Sequence, residues 1–145
     1  MCIGDPTKTN RSKLKTYKSF KNDYCLENYL NMNIDKDIIR SFTKLRISNH
    51  RLEVEIGRYS KTPLSERICK CCDSDKIEDE IHFLCFCSLY CDYRKELYDN
   101  ISNIVPMFET LTDIDKFTFL MGCDILSLIL NYVFKCFNLR SSRTS

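Results

Sequence analysis

Six of the ten cysteines in this 145-residue chain lie in one short segment, residues 69–91. The same segment contains His82, one of only two histidines in the chain. Zn²⁺ prefers four sulfur or nitrogen ligands in tetrahedral geometry, and two cysteines separated by two residues can both come from one tight turn. The pattern C-x2-C-x9-H-x4-C supplies three thiolates and one imidazole, from Cys69, Cys72, His82 and Cys87. The segment therefore predicts a CCHC zinc knuckle.

The fourth ligand is ambiguous from spacing alone. Cys85 lies three residues after His82 and Cys87 lies five, so both are near enough in sequence to reach the ion. We favour Cys87 because a gap of four residues is the knuckle spacing. Cys71 offers another register, although C-x-C pairs are less common in single zinc sites. Because protein ligands fill all four positions, none is open for water or substrate, and we expect one structural Zn²⁺.

The rest of the composition favours an intracellular chain. The first residues, MCIGDPTKTNRSK, contain no apolar run of the kind found in secretory signals. Without export, the cysteines are expected to be reduced thiols, some of them bound to metal, rather than disulfides. The most apolar stretch, residues 125–134, is about half the length that a membrane-spanning helix needs. We therefore expect a protein of the nucleus or cytoplasm that is neither secreted nor membrane-bound.

The fold class expected from periodicity is mainly α, a small helical bundle with the knuckle inserted at residues 67–91. A short β-hairpin at the knuckle is compatible with this fold. We expect one helical domain over residues 14–140, flanked by a disordered basic N-terminus at 1–13 and a disordered tail at 141–145. The predicted helices cover about 12–31, 33 onward, 88–105, 113–121 and 124–139.

Capping and turn residues suggest where these helices begin and end. Asn33 and Ser88 are the predicted N-caps of the second and third helices, and Gly57 and Pro106 are the predicted stops. The third helix should bury five apolar side chains at helical spacing: Tyr90, Tyr93, Leu97, Ile101 and Ile104. The fourth should bury Phe117, Leu120 and Met121. The apolar face of the second consists of Ile34, Ile38, Phe42 and Leu45.

Charge is unevenly distributed along the chain. Residues 1–67 contain 14 Lys and Arg against 8 Asp and Glu, whereas the remainder contains 8 against 12. A basic region beside a knuckle favours a polyanion, since neutralising phosphates releases counterions. The candidate nucleic-acid contacts are Arg40, Lys44, Arg46, Arg51, Arg58 and Arg67, with Tyr59 available to stack on a base. The competing interpretation is that Arg58 and Arg67 pair with nearby glutamates and hold the knuckle against the helices.

Residues 43–87 resemble the zinc-binding region that follows the reverse transcriptase of non-LTR (LINE-type) retrotransposons. That family shows R-x-x-x-H-x-L-x-x-E-x-G-R-Y, then a proline, R-x-C-x-x-C and E-x-E-x-H-x-x-x-x-C. The residues that match are Arg46, His50, Leu52, Glu55, Gly57, Arg58, Tyr59, Pro63, Arg67, Cys69, Cys72, Glu78, Glu80, His82 and Cys87. The C-terminal YVFKCFNLR is also similar to such elements. The resemblance implies the same four metal ligands and binding of RNA or DNA beside a reverse transcriptase core.

The departures from this family limit what is carried over. The chain contains no Tyr/Phe-x-Asp-Asp polymerase signature and no endonuclease constellation, so it looks like a truncated copy and no enzymatic activity is expected. Three function classes remain: a non-catalytic module that binds RNA or single-stranded DNA, a zinc-stabilised helical module that binds another protein, and a metal-dependent hydrolase, which would need an open zinc site. The acidic C-terminal half favours the second.

Overall fold

The computed structural model describes residues 33–122 and 126–144, and this part of the chain is mainly helical, as predicted. The helices are α1 (Lys36–Arg46), α2 (Glu53–Tyr59), α3 (Cys91–Ile104), α4 (Asp113–Gly122) and α5 (Leu126–Thr144). Short 3-10 helices cover Leu64–Glu66, Ser88–Tyr90 and Pro106–Thr110, and a π-helical turn covers His82–Phe86. The predicted disordered N-terminus and the helix predicted over 12–31 lie outside the described residues.

Helix α1 starts after Asp35, whose carboxylate accepts a hydrogen bond of 2.8 Å from the backbone amide of Asp37. The predicted cap, Asn33, was wrong because the Asp35 side chain already reaches a free amide of the first turn. Phe42 and Leu45 are fully buried, which agrees with the predicted apolar face. The helix ends at Arg46, so it does not extend to residue 51.

Helix α2 includes Gly57, which was predicted to end it. Glycine fits this position because it has no side chain. A Cβ built on Gly57 would lie 2.6 Å from Cδ and 2.7 Å from Nε of Arg67. The helix continues to Tyr59, and Lys61, with a φ of 59°, then redirects the chain.

The segment between α2 and α3 is compact but contains no β-strand among the described residues. Its one pairing with residues that the structure describes is an isolated antiparallel bridge between Ile68 and Ile77. Two backbone hydrogen bonds flank the bridge, from Cys69 N to Lys76 O at 2.9 Å and from Glu78 N to Arg67 O at 3.0 Å. The chain thus makes a tight backbone reversal at the position where the sequence was compatible with a short β-hairpin.

Helices α3 and α4 bury most of the predicted positions. Helix α3 is preceded by a 3-10 turn and begins at Cys91, so Ser88 is not its cap as predicted. Leu97 and Ile101 are buried, but Ile104 is 59% exposed, because the helix ends there and its last turn leaves the core. Pro106 follows and opens the next 3-10 turn. In α4 the three predicted core residues are all buried.

Helix α5 packs against both α1 and α3 and therefore occupies the centre of the described bundle. It buries the contiguous set Ile129, Leu130, Tyr132, Val133 and Cys136. The hydroxyl of Tyr132 donates to the carbonyl of Leu84 at 3.0 Å, which ties the helix to the π-helical turn. The helix continues to Thr144, beyond the predicted end at residue 139 and through most of the tail expected to be disordered.

No single helix in the described ranges is long and apolar enough to cross a membrane. Helix α4 and Ser127–Thr144 meet that test only when taken together, and they are bent by 105° relative to each other.

Candidate metal centre and basic groove

The backbone reversal at residues 67–78 positions the first pair of candidate ligands. Cys69 lies directly after the Ile68–Ile77 bridge, and its sulfur accepts a hydrogen bond of 3.4 Å from the amide of Cys71. Cys72 follows on the same turn, and its sulfur lies 3.1 Å from the hydroxyl of Ser74. A backbone amide directed at a sulfur stabilises the thiolate form, which is the form that binds metals.

The π-helical turn positions the second pair. The amide of His82 donates to the carboxylate of Asp79 at 2.8 Å, which fixes the start of the turn. The amide of Cys87 then donates to the carbonyl of His82 at 2.8 Å. This five-residue hydrogen bond is the defining contact of a π-turn, and it places the two residues next to each other. The π-turn thus explains the four-residue gap between His82 and Cys87 in the motif.

The four predicted ligands meet at one point. The ligand atoms of Cys69, Cys72, His82 and Cys87 all lie within 4.8 Å of one another. The Cys69 and Cys87 sulfurs are 3.8 Å apart, and the Cys72 sulfur is 3.4 Å from His82 Nε2. With Zn–S bonds of about 2.3 Å and Zn–N bonds of about 2.0 Å, tetrahedral geometry requires about 3.8 Å and about 3.5 Å for these separations. The donor set and its dimensions therefore fit one tetrahedral ion.

The two alternative cysteines occupy different surroundings. Cys85 lies on the same π-turn but interacts with the hydroxyl of Tyr98, and burial raises the pKa of its thiol. It is outside the four-residue cluster. Cys71 forms a second possible group with Cys69 and Glu78. That group has only three members, and one of them, Glu78, is already paired with Arg140, so the four-residue cluster is the more complete.

Protons are shared among the candidate ligands. A hydrogen bond with the sulfur of Cys87, helped by burial, raises the pKa of Cys69 to about 12 and outweighs the lowering effect of the Cys71 amide. The same bond lowers the pKa of Cys87. A hydrogen bond with Cys69 raises the pKa of His82. A metal has to displace these protons in order to bind, so affinity should fall as the pH falls.

A buried ion pair joins the cluster segment to α5. Arg140 donates from Nε to Glu78 Oε1 at 2.7 Å and from Nη2 to Oε2 at 3.3 Å. The two side chains are 7% and 2% exposed. Glu53 lies 3.8 Å from Arg140 and 3.5 Å from Lys70. The carbonyl of Glu78 also accepts a hydrogen bond from the amide of Val54 at 3.1 Å. Glu78 therefore connects the backbone reversal at residues 67–78 to both α2 and α5.

A second buried network anchors the residues just before His82. Glu80 Oε1 accepts from the hydroxyl of Ser48 and contacts His50 Nε2, both at 3.0 Å. The amide of Leu52 donates to His50 Nδ1 at 3.3 Å. Because Nδ1 accepts, the proton of a neutral ring lies on Nε2 and points at the carboxylate. His50 is thus a packed, hydrogen-bonded residue, and these contacts lower the pKa of Glu80 against the opposing effect of burial.

Two of the predicted nucleic-acid contacts have structural roles instead. Arg67 donates from Nε to the carbonyl of Thr62 at 2.9 Å and from Nη1 to that of Val54 at 3.0 Å, and it packs over Gly57. Arg46 is only 3% exposed, and its guanidinium lies 5.7 Å from the centre of the Phe42 ring. Neither position favours contact with an external phosphate.

The other predicted contacts are on the surface. Arg40 is exposed and pairs with Asp37 on its own helix at 2.7 Å. Arg58 pairs with Glu55 at 3.6 Å and lies 5.6 Å from the centre of the Tyr59 ring. The interpretation that glutamates compete for arginines therefore applies to Arg58, whereas Arg67 is held by backbone carbonyls.

A groove of about 810 Å³ lies between α1, α2 and the C-terminal part of α5. It is lined by Ser41, Lys44, Asn49, His50, Arg51, Ile56, Tyr59, Phe137, Arg140, Ser141 and Thr144. Three predicted nucleic-acid contacts, Lys44, Arg51 and Tyr59, come together here. Among these described lining residues there are three permanent cations and no carboxylate. Residues far apart in sequence thus form one positive concave surface.

The sequence did not reveal Arg140 or the two buried networks. Glu78 and Glu80 were visible as motif positions, but their partners lie 62 and 30 to 32 residues away. Only the placement of Glu78, Glu80 and His82 at every second position signalled that these two glutamates were not ordinary surface charges.

Comparisons of the chain with protein-family models, with curated proteins and with solved structures found no match. The likeness to the LINE-type region therefore stays a resemblance carried by the residues quoted above.

Proposed function

We propose that this protein is a non-catalytic nucleic-acid-binding module that is stabilised by one structural Zn²⁺. Its role would resemble that of the region C-terminal to a LINE-type reverse transcriptase. The observation that carries the proposal is the basic groove, whose described lining combines the exposed cations Lys44 and Arg51 with an exposed tyrosine and no carboxylate. Cationic grooves with aromatic side chains are the usual surfaces for single-stranded nucleic acids.

The metal part of the proposal is supported by the four-residue cluster and its fit to tetrahedral geometry. Four protein ligands leave no position for a reacting water, so the ion would be structural and the CCHC knuckle would not be an active site. Glu78 and Arg140 link the knuckle to one wall of the groove. Loading with zinc would therefore help to hold the groove in shape.

Metal binding is tested first. Native mass spectrometry of the wild type should find one zinc ion per chain, and Cys72→Ser and His82→Ala should each lose it. Cobalt substitution should give the absorption spectrum of a tetrahedral three-sulfur site. Wild-type protein that was purified without chelator, lacks any bound ion and still keeps its helical content would contradict the proposal.

Nucleic-acid binding is tested by fluorescence anisotropy with labelled oligo(U) and oligo(dT). We expect binding at low salt that weakens steeply as salt is added, with a log–log slope of about −0.7 for each phosphate contacted. Chelation should reduce the affinity. No binding of either strand at low salt would refute the proposal, as would tight binding that does not respond to salt.

A second candidate is a protein-interaction module, which would dock on a reverse transcriptase core. It is favoured by three exposed apolar side chains around the end of α3 and the start of α4. Ile104, Met107 and Ile114 are 59%, 72% and 67% exposed. Charge reversal in the groove would leave such docking unchanged, whereas Met107→Asp would weaken it. A pull-down of the partner protein that resists nuclease treatment would support this second candidate.

A further inference from the structure

The groove has the size of a binding site for one small ligand. Its volume of about 810 Å³ lies within the range of roughly 300–1,000 Å³ that is typical of such sites. A double helix is a convex object and would meet only the rim of a concave site of this size. A single nucleotide that projects from a strand can enter it.

Two cations at the groove are available for a phosphate. Lys44 on α1 and Arg51 in the following loop are exposed, and neither forms an ion pair with another described residue. Arg140 is different, because its Nε and Nη2 are held by Glu78. No hydrogen bond within the described ranges uses its Nη1, and the residue lines the groove. A guanidinium fixed on one edge is pre-organised to donate from the other.

The remaining lining suits a nucleobase. Tyr59 is 69% exposed, and Ile56 and Phe137 add apolar surface beside it. An aromatic ring stacks on any unpaired base. Asn49 is exposed, and its side-chain amide forms no hydrogen bond with the described residues, so both its donors and its acceptor remain for a base edge.

We propose that this groove is a pocket for one unpaired nucleotide of a strand, with its phosphate between Lys44 and Arg51 and its base against Tyr59. The inference rests on the proposed function and deepens it, from a basic surface to a defined pocket. Its consequence is a preference for single strands over duplexes, since a paired base cannot leave its stack without an energetic cost.

The phosphate contacts are tested through the salt dependence of oligo(U) binding. Lys44→Ala and Arg51→Ala should each weaken binding, and the double variant should make the log–log slope shallower by about 0.7, the contribution of the one phosphate that the two cations share. Lys95→Ala is the matched control, because Lys95 is an exposed lysine on α3 outside the groove. These three side chains are exposed, and circular dichroism with zinc content would verify that each variant is folded.

The base contact is tested with Tyr59→Ala and Tyr59→Phe on two probes, oligo(U) and an abasic strand of equal length. Loss of the ring should weaken binding of oligo(U) roughly 5- to 150-fold, whereas Tyr59→Phe should retain it. The abasic strand should bind all three proteins equally. A duplex of the same length should bind the wild type more weakly than the single strand.

Three results separate the nucleotide pocket from the proposed function. If the wild type binds oligo(U) but the groove variants behave like Lys95→Ala, the nucleotide pocket is refuted while nucleic-acid binding stands. If duplex binds as well as single strand, and the Tyr59→Ala effect persists on the abasic probe, the pocket is also refuted. If the wild type binds no strand at all, the proposed function fails with it.

Discussion

The buried pair of Glu78 and Arg140 should be among the most sensitive contacts in the described structure. Its side chains are 2% and 7% exposed, and the shortest hydrogen bond between them is 2.7 Å. Removing one partner of such a pair leaves an uncompensated charge inside the protein, at a cost of about 3–5 kcal/mol. We therefore expect both single substitutions to be strongly destabilising.

The surrounding charges predict that the two substitutions differ. In Glu78→Gln, the arginine keeps Glu53 at 3.8 Å, so the cost should be near the lower limit, about 3 kcal/mol. In Arg140→Met, Glu78 and Glu53 both lose their cation, and only Lys70 remains near the latter, so the cost should approach about 5 kcal/mol. The double variant should be more stable than Arg140→Met alone, because no unpaired charge is left at Glu78.

Urea denaturation of the zinc-saturated proteins, followed by circular dichroism, measures these differences. In a thermal melt of the same proteins, the loss of about 3 kcal/mol in Glu78→Gln should lower the melting temperature of a chain of this size by about 10 °C. Arg40→Met is the matched control, since Arg40 and Asp37 are also 2.7 Å apart but 62% and 66% exposed. That pair should contribute less than about 1 kcal/mol. Equal losses for the buried and the exposed pair would refute the reasoning, as would a smaller loss for Arg140→Met than for Glu78→Gln.

Three further perturbations test other parts of the structure. Cys87→Ser should abolish zinc binding measured by mass spectrometry, whereas Cys85→Ser should retain one ion; the reverse result would move the fourth ligand to Cys85. Gly57→Ala should lower the free energy of unfolding by about 1–3 kcal/mol, because the new methyl group meets Arg67, and the penalty should vanish in an Arg67→Ala background. Tyr132→Phe should cost about 1–3 kcal/mol, since the carbonyl of Leu84 loses its buried donor, and an unchanged urea midpoint would show that this hydrogen bond is unimportant.

The helices were predictable to the extent that their signals are local. Burial of Phe42 and Leu45 followed from periodicity, and the end of α3 followed from Pro106. The errors concern choices between neighbours: Asp35 rather than Asn33 caps α1, because both residue types are good caps and only the geometry of the first turn decides. Gly57 was assigned to a helix end by its flexibility, although the structure uses its lack of a side chain to admit Arg67.

The candidate ligands were predictable because the chemistry of the site is encoded in one short segment, from Cys69 to Cys87, with a sequence separation of 18. The basic surface was not predictable, since charge composition does not say which cationic side chains are exposed. Lys44 and Arg46 are two residues apart on α1, yet the first is exposed at the groove and the second is buried. A helix rotates by about 100° per residue, so two steps carry a side chain from solvent to core. Which arginines can meet a phosphate is therefore decided by tertiary packing, and Arg140, from the acidic half of the chain, reaches the groove only because α5 packs on α1.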